Sequence, residues 1–489
     1  MTPRRVVILG YGMAGARLAE DIRRADPSGE RVALTVLGDE PHPAYNRVLL
    51  STVLAGGLDT PSVALHDEHW ADNLGVDLRR NTVVAKIDRA ARKVHLADDS
   101  TVDYDALVVA TGSRAWVPPI DGLRAEDGAL APGVATFRTL ADCAHILDQI
   151  RPGAPVAVLG GGLLGLEAAR GLVGRGSLVT VVHPRKRLME RQLDSGAGRV
   201  LLDSLRGKGI EFRLGIEATR YLPGDGLKLA DGSAVPADLV VVATGVRAET
   251  ELAAEAGLAV DRGIVIDDSL RTNDPRIHAI GDCAQHPGTV SGLVAPAWEQ
   301  AAVLAALLTG TDPAARYHGT AVVTRLKARD IDLAALGETH LDPDTDDSDG
   351  SDDVEVVRMA DPARGRYAKL VVRNDKVVGA ILFGVPDAAA TITQLYDRGT
   401  PVPEDRLALL LGRALPEGAA ATGVGDLPAG ALICRCNSIS KGKLVSAWRE
   451  GARDVPALAK ATRATTGCGG CRDAVSDLTA WLRAAEPGQ

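Results

Sequence analysis

An internal repeat restricts the chain to one kind of architecture. Leu96–Arg114 reads LADDSTVDYDALVVATGSR and Leu229–Arg247 reads LADGSAVPADLVVVATGVR, and 12 of these 19 aligned positions are identical. Each copy is preceded by an apolar strand that runs into a G-x-G-x-x-G turn. Such a turn between a strand and a helix presents unpaired helix N–H groups to a pyrophosphate. The repeat therefore predicts an α/β chain with two Rossmann-like dinucleotide-binding domains.

The first glycine turn lies at the start of the chain, in the segment VVILGYGMAG. An acidic residue at the end of the following strand, Val32–Leu37, is placed to accept the ribose hydroxyls of an adenosine, and a later arginine is able to donate to a pyrophosphate. A turn carboxylate and a solvated arginine remain the alternatives for these two. We expect the ligands of the first dinucleotide to be Gly10, Gly12, Gly15, Asp39, Arg47, Thr111 and Gly112.

The second turn lies in VAVLGGGLLGLEAA, and its ribose-binding strand, Leu178–Val182, ends differently. No carboxylate stands at that end, and His183-Pro184 is followed by three cations. A carboxylate would repel a 2′-phosphate and arginines attract it, so NADPH is favoured over NADH. A solvated basic loop beside NADH is the alternative. The expected ligands are Gly160, Gly162, Gly165, Arg185, Arg187 and Gly245.

Four of the six cysteines lie close together near the end of the chain. Cys434 and Cys436 form a C-x-C pair, and 31 residues later Cys468 and Cys471 form C-x-x-C within TTGCGGC. Four thiolates in two close pairs suit either tetrahedral zinc or a [2Fe–2S] cluster. The unequal pairs favour the cluster, and all four cysteines are candidate metal ligands.

Composition excludes two classes of protein. The formal charge is −9, whereas a nucleic-acid-binding chain normally presents a basic face. The sequence has no apolar run of about 18 residues, and its first strand begins by residue 6, before a leader would fit. We therefore expect a cytoplasmic protein that binds neither nucleic acid nor a membrane.

The order of these motifs resembles the two-dinucleotide-binding flavoproteins, which include glutathione reductase and the rubredoxin-reductase-type ferredoxin reductases. The resemblance covers residues 1–320 and implies that the first turn binds FAD, and that the second, inserted into the FAD domain, binds NAD(P)H. It also implies that Asp282, in TNDPRIHAIGD, is an FAD ligand and that Glu167 lies near the nicotinamide. The helix Pro296–Leu308 is then expected to direct its N-terminus at the flavin.

The disulfide reductases of that family carry a redox-active C-x4-C pair, but no cysteine precedes Cys143 here. Cys143 and Cys283 are therefore expected to be buried, unreactive residues, and the flavin needs another electron acceptor. The last segment resembles the bacterioferritin-associated ferredoxin-like (BFD-like) [2Fe–2S] domain, with its first cysteine pair on a loop and its second at a helix start. Within an electron-transfer flavoprotein, such a cluster supplies a one-electron exit.

The strand-rich segment after residue 316 suits a small α+β third domain. Its aspartate-rich stretch, 342–353, fits no EF-hand register and reads as a solvated loop. The predicted organisation is an FAD-binding domain over 1–118 and 246–315, an NAD(P)H-binding domain over 119–245, an interface domain over 316–412, a linker over 413–430 and a helical BFD-like domain over 431–485.

A narrower resemblance concerns function. PAYNRVLLSTVLAGG, HPRKRLMERQLD and the cysteine-rich segment resemble the FAD part of assimilatory nitrite reductase large subunits and the electron-transfer subunit of assimilatory nitrate reductase. This implies an NAD(P)H-dependent flavoprotein that passes electrons through FAD and the cluster to a separate catalytic subunit, and that does not itself reduce nitrite. The alternatives are a self-contained NAD(P)H oxidase or ferredoxin-reductase-type enzyme, and a zinc-binding or redox-sensing module.

Overall fold

The computed structural model describes residues 2–328, 330–341, 354–413, 424–434, 437, 439–465 and 470–486. The aspartate-rich stretch 342–353, Cys436, Cys468 and most of the predicted linker lie outside these residues. The first half of the described chain contains β1 Arg4–Leu9, α1 Met13–Ala25, β2 Val32–Leu37, α2 Leu50–Leu54, α3 Trp70–Asn73, β3 Asp77–Arg79, β4 Val84–Asp88, β5 Lys93–Leu96, β6 Thr101–Asp103, β7 Ala106–Val109, β8 Ser113–Ala115, β9 Val134–Thr136, α4 Leu140–Gln149, β10 Pro155–Leu159, α5 Leu163–Gly174, β11 Leu178–His183, α6 Ser195–Arg206, β12 Ile210–Leu214, β13 Ala218–Leu222, β14 Gly226–Leu229, β15 Ala234–Val235, β16 Leu239–Val242 and β17 Val246–Ala248.

The second half begins with short elements that return to the first sheet and continues through a strand-rich segment to three helices. Its elements are α7 Glu251–Glu255, β18 Ile264–Val265, β19 Ile277–Ala279, β20 Ala284–Gln285, α8 Val294–Thr309, β21 Val323–Leu326, β22 Leu333–Gly337, β23 Val354–Asp361, β24 Arg366–Arg373, β25 Lys376–Phe383, α9 Pro386–Arg398, α10 Arg406–Leu410, β26 Leu432–Cys434, β27 Ile439–Ser440, α11 Lys441–Arg449, α12 Val455–Thr462 and α13 Arg472–Ala485.

Two five-stranded parallel sheets form the centre of the molecule. Their strand orders are β19-β7-β1-β2-β3 and β12-β11-β10-β16-β9, and in each the strand before the glycine turn is central. The central strands are continuous apolar runs because helices and loops cover both faces of a parallel sheet. Each unit also carries a three-stranded antiparallel meander, β4-β5-β6 or β13-β14-β15, whose last strands lie in the first half of the sequence repeat.

The chain order shows that the second unit is inserted into the first. Strand β7 pairs with β1 on one side and on the other with β19, which follows only after the whole second sheet. The two units are joined by the antiparallel pair β8 and β17, where Arg114 lies opposite Arg247. The predicted fold class, with an NAD-type unit inserted into an FAD-type unit, agrees with this topology.

The third region is an antiparallel sheet in the order β21-β22-β25-β24-β23 with α9 and α10 packed on it. The Asn374-Asp375 pair connects β24 to β25 with φ angles of 50° and 57°. Two residues with positive φ are what a tight hairpin turn requires, and Asn and Asp tolerate them well. The sheet rests on the second unit, because Tyr367 Oη donates to Asp194 Oδ2 at 2.6 Å.

The last region consists of α11, α12 and α13 with the short ribbon β26-β27. Part of the predicted linker belongs to it structurally: residues 424–426 form a 3-10 turn beside Trp481, and Lys441 Nζ donates to the carbonyl of Leu427 at 2.8 Å. None of the helices in the described part of the chain is both long and apolar enough to cross a membrane.

Candidate cofactor sites

The first glycine turn has the geometry of a phosphate cradle. Gly10 has a φ of 109°, and a side chain there would collide with the carbonyl of Ala110 at the end of β7. A side chain at Gly15 would collide with the carbonyl of Gly10, so this glycine allows α1 to pack against its strand. Gly12 caps α1 with extended backbone and faces open space. These features fit the pyrophosphate of a dinucleotide.

Arg47 borders that open space. One of its guanidinium nitrogens lies 4.0 Å from the position that a Cβ of Gly12 would occupy. The same guanidinium forms an ion pair with Glu40, and Tyr45 Oη donates to the second Glu40 oxygen at 2.7 Å. Asp39, the predicted ribose ligand, is exposed at the end of β2, whereas Glu40 is the carboxylate held in place. The strand end therefore offers two adjacent carboxylates to a ribose, and only Glu40 is held by side-chain contacts to Arg47 and Tyr45.

Asp282 lies at the meeting point of several elements. Its Oδ2 atom accepts from Arg138 Nη2 at 2.7 Å and from Ser113 Oγ at 2.9 Å. The preceding Gly281 donates its N–H to Gln300 Oε1 on α8 at 2.8 Å. Asp282 is therefore fixed between the start of α8 and the strand pair that joins the two units.

Thr111 and Gly112 follow β7 and connect the same units. Thr111 Oγ1 donates to the carbonyl of Glu249 at 2.8 Å, and the N–H of Glu249 donates to the carbonyl of Gly112 at 2.9 Å. Gly112 has a φ of 74°. This places the first A-T-G motif beside the glycine turn of the first unit, where the sequence predicts an FAD contact.

The second glycine turn has the same backbone geometry as the first. Gly160 has a φ of 119° and abuts the carbonyl of Ala243, and Gly162 caps α5 with extended backbone and open space around its α-carbon. Gly245, in the second A-T-G motif, has a φ of 114° and accepts the Trp116 N–H at 2.9 Å. The same arguments for a dinucleotide therefore apply here.

The end of β11 is strongly basic. A cavity of about 510 Å³ opens there, and its lining consists of Arg185, Lys186, Arg187, Glu190 and Arg191. His183 is the last residue of β11, and its ring lies against Gly161 of the glycine turn. His183 Nε2 lies 3.1 Å from Glu190 Oε2. Four cations around one carboxylate give this cavity the charge and size to accept a phosphate group.

Glu167 lies in the first turns of α5 and is 5% exposed. Its Oε1 atom accepts the N–H of Lys327 at 2.9 Å, so it joins the second unit to the third region. The predicted position near a nicotinamide stays a prediction, and the described contact gives the carboxylate a structural role as well.

Two of the four clustered cysteines lie within the described residues, and both are buried. Cys434 ends β26 and Cys471 immediately precedes α13. Each sulfur receives a donor: Asn437 Nδ2 lies 3.6 Å from Cys434 Sγ, and the N–H of Thr465 lies 3.3 Å from Cys471 Sγ. N–H donors directed at sulfur stabilise thiolates that hold an iron–sulfur cluster. The donor set therefore fits a [2Fe–2S] group.

The remaining two cysteines are buried as expected. Cys143 and Cys283 are 1% and 0% exposed. Burial raises the pKa of Cys143 to about 11 and also raises the pKa of Cys283. Thiols with raised pKa values are poor nucleophiles, so neither residue replaces the missing redox pair.

Several residues of these sites carried no sequence signal. Arg138 lies far from Asp282 in sequence, in the link between β9 and α4, and only the fold brings the two together. Glu190 and Arg191 belong to the basic stretch after β11, but nothing in the spacing separates cavity-lining residues from solvated ones.

The chain belongs to the pyridine nucleotide-disulphide oxidoreductase family, whose model matches residues 4–301. Residues 432–481 match the BFD-like [2Fe-2S] binding domain, and residues 323–400 match the rubredoxin NAD+ reductase C-terminal domain. The expected cofactors, FAD, NAD(P)H and a [2Fe–2S] cluster, are thereby confirmed, as is the NAD(P)H-dependent oxidoreductase class.

Two curated relatives match almost the whole chain. A nitrite reductase [NAD(P)H] of Bacillus subtilis is 36% identical over 98% of the chain, and an assimilatory nitrate reductase electron transfer subunit of the same organism is 34% identical over 99%. The chain spans 58% and 61% of the length of these two proteins. The two families named by the resemblance are therefore confirmed as relatives.

Among solved structures, the chain is similar to the covalent putidaredoxin reductase–putidaredoxin complex, with a TM-score of 0.73 and 27% identity over 84% of this chain and 96% of that one. A ferredoxin reductase from Rhodopseudomonas palustris has a TM-score of 0.71 and 28% identity over 82% of this chain. The fold of the first three regions is thus that of ferredoxin reductases.

Proposed function

We propose that the chain passes electrons from NAD(P)H through FAD and a [2Fe–2S] cluster to a nitrate- or nitrite-reducing centre. In this assignment FAD is held by Gly10, Gly12, Gly15, Asp39, Arg47, Thr111, Gly112 and Asp282, NAD(P)H by Gly160, Gly162, Gly165, Glu167, Arg185, Arg187 and Gly245, and the cluster by Cys434, Cys436, Cys468 and Cys471. To these we add Arg138, through Asp282, and Glu40 beside Asp39.

One observation carries the proposal more than any other. Cys434 and Cys471 share a single hydrophobic cluster with Trp298 and Ala297 on the first turns of α8, and Met13 on α1 packs against the same cluster. The cysteine-bearing region therefore lies on the helix ends that border the proposed flavin site. A redox-sensing zinc module would not need this proximity, whereas electron transfer from a flavin does.

When bound, the cofactors would supply the redox chemistry, which is hydride transfer between NAD(P)H and FAD and one-electron transfer from the flavin. The residues of the chain hold and orient these cofactors. The glycine turns would hold the two pyrophosphates, Arg47 would neutralise charge beside the first, and the start of α8 would direct its positive dipole end toward the flavin. Hydride transfer requires positioning and no acid or base, so we assign no catalytic residue.

The basic cavity after β11 supports NADPH as the donor. Arg185, Arg187 and Arg191 would neutralise a 2′-phosphate, and these three cations outweigh the single carboxylate of Glu190, which lies 3.1 Å from His183 Nε2. NADH lacks the 2′-phosphate and would leave these cations in water. We therefore propose that the enzyme uses NADPH in preference to NADH.

The names of the two Bacillus subtilis relatives suggest the acceptor. Residues 431–475 contain eight Lys or Arg and three Asp or Glu, in a chain with a formal charge of −9. A local positive charge suits an acidic surface on a protein acceptor and predicts a salt-dependent association rate. We propose a separate catalytic subunit of nitrate reductase as that acceptor, and the cytoplasm as the place where the two meet.

Cofactor analysis and acceptor assays test the proposal. The purified holoprotein should contain FAD, two irons and acid-labile sulfide per chain. With NADPH it should reduce ferricyanide rapidly, leave nitrate and nitrite unchanged, and support nitrate reduction once a nitrate reductase catalytic subunit is added. One zinc in place of iron would refute the cluster. Nitrite reduction by this chain alone would refute the proposal that it supplies electrons to a separate catalytic subunit.

A further inference from the structure

The interface between α1 and the cysteine-bearing region, called the seam below, contains two polar contacts. In one contact α1 supplies the arginine, and in the other the cysteine-bearing region supplies it. Arg17 on α1 donates from Nη1 to Asn437 Oδ1 at 2.9 Å. Arg463, just after α12, forms an ion pair with Glu20, which lies one turn beyond Arg17 on α1. Each side of the seam thus contributes one arginine and one acceptor.

All four groups are largely withdrawn from water. The side chains of Arg17 and Arg463 are 12% and 13% exposed, Glu20 is 20% exposed and Asn437 is 5% exposed. Burial and the nearby Arg17 charge lower the pKa of Arg463. A buried cation next to another cation depends on its carboxylate, because removing one partner of such a pair leaves an uncompensated charge.

The two arginines also lie close to a tryptophan. The guanidinium carbons of Arg17 and Arg463 lie 5.3 and 5.8 Å from the ring centroid of Trp298, within cation–π range. Trp298 is 2% exposed, and its Nε1 donates to the carbonyl of Met13 at 3.1 Å. The seam is therefore anchored in the first turn of α1, next to the glycine turn.

On the other side, the contacts reach the cysteine loops. Asn437 Nδ2 donates to the carbonyl of Arg463 at 2.5 Å and approaches Cys434 Sγ at 3.6 Å. Arg463 itself has a φ of 67°, the left-handed conformation that ends α12. The segment that follows supplies the Thr465 N–H to Cys471 Sγ. The residues that hold the seam thus also shape the surroundings of two cluster thiolates.

We propose that Arg17, Glu20, Asn437 and Arg463 form an interdomain latch that holds the cluster region over the N-terminal ends of α1 and α8. This inference rests on the proposed function for its purpose, because a fixed separation matters when electrons cross from flavin to cluster. Because of the latch, electron transfer from the flavin to the cluster takes place within this chain. An external acceptor then has to approach the cluster region from a face other than the one turned toward α1.

The chain offers a matched set of variants for this latch. Glu20→Gln and Arg463→Met each break the ion pair, and Arg463→Lys retains the charge. Arg24→Met is the control, because Arg24 binds the other Glu20 oxygen at 2.9 Å on the exposed side of α1. Arg24 is 57% exposed.

Hydrogen exchange of the holoprotein measures how firmly the cluster region is held against α1 and α8, and it does not depend on enzyme turnover. In Glu20→Gln and Arg463→Met, amides in the first turns of α8 and in 432–434 should exchange at least tenfold faster, since a buried charge has lost its partner. Arg24→Met should match the wild type and Arg463→Lys should lie close to it. Wild-type exchange in both ion-pair variants would overturn the latch.

Rapid mixing with NADPH separates this inference from the proposed function. Flavin reduction should keep its wild-type rate in all four variants, whereas cluster reduction should slow at least tenfold in Glu20→Gln and Arg463→Met only. Equal cluster reduction in wild type and variants would also overturn the latch. If the wild-type cluster itself takes no electrons from the flavin, the proposed function fails, and hydrogen exchange still decides the latch.

Discussion

The two dinucleotide units have the same backbone and different chemistry at the end of the second strand. Both place a glycine with φ above 100° against the carbonyl of the A-T-G strand, and both cap the next helix with an extended glycine facing open space. In the first unit the strand end holds Glu40 with Arg47, whereas in the second it opens into a basic cavity. We therefore propose that each turn binds a pyrophosphate and that the end of the second strand determines which dinucleotide is bound.

The largest effect is expected from filling the open space at either turn. Gly12 and Gly162 have extended backbones that any residue can adopt, and a Cβ there would meet no protein atom closer than 4.0 Å. Gly12→Val should fold but lose its flavin, because the side chain occupies the path of the pyrophosphate. Gly162→Val should keep its flavin and lose NADPH binding.

Flavin content and nucleotide titration of the two variants check this expectation. Far-UV circular dichroism and the cluster absorbance serve as folding controls. Loss of flavin from Gly162→Val, or full flavin in Gly12→Val, would reverse the assignment of the two units.

The next largest effect concerns the basic cavity. Arg185→Ala combined with Arg187→Ala should raise KM for NADPH by roughly 10- to 100-fold, which corresponds to a loss of about 1.4–2.8 kcal/mol for the two charge-assisted contacts to a phosphate together. KM for NADH should change less than threefold. Arg206→Ala, an exposed cation at the end of α6, is the control. An equal rise for both nucleotides would exclude a 2′-phosphate subsite here.

A smaller effect is expected at Arg138, which supports Asp282 in the first unit only. Arg138→Met should leave this carboxylate without its charged partner and weaken FAD retention by about tenfold, or about 1.4 kcal/mol. Arg138→Lys should recover part of the loss. FAD dissociation during dialysis, followed by fluorescence, measures it. If Arg138→Met retains flavin as the wild type does, the contact has no part in the FAD site.

Acid sensitivity also separates the two units. Burial lowers the pKa of His66 and of His278 to about 4, and both lie in the first unit. His66 is stacked on Trp70, 3.7 Å away, and lies 2.7 Å from Tyr11 Oη in the glycine turn, with Glu20 on its other side. The native state therefore favours neutral imidazole more than the unfolded state does.

Stability should consequently fall as the pH drops from about 6.5 toward 4, by at most about 1.4 kcal/mol per pH unit for each histidine. His66→Phe retains the stack on Trp70 and should show a shallower fall in Tm between pH 7 and pH 5. His42→Gln, at an exposed position, should behave as the wild type. If Tm falls equally with pH in all three proteins, His66 does not contribute to the pH dependence of stability.

The repeat and the glycine spacing predicted two Rossmann-like units, because these features follow from local patterns. The insertion of one unit into the other was implied by the family resemblance, and the burial of Cys143 and Cys283 was expected because neither belongs to a cysteine pair. Arg138 beside Asp282 and Glu20 beside Arg463 could not be predicted, since each pair joins elements that only the folded topology brings together. Asp39 as a ribose ligand stays a prediction, because which of the two adjacent carboxylates is held depends on the direction of Arg47 and Tyr45. Sequence spacing does not specify that direction.

The central claim is that electrons from NADPH reach the cluster only through the nucleotide held at the first glycine turn. It is tested most directly by anaerobic electron paramagnetic resonance of the wild type and Gly12→Val. We predict that NADPH produces the rhombic signal of a reduced [2Fe–2S] cluster in the wild type, and that flavin-free Gly12→Val gives this signal only after dithionite is added. A cluster signal from NADPH in the flavin-free variant would contradict the account.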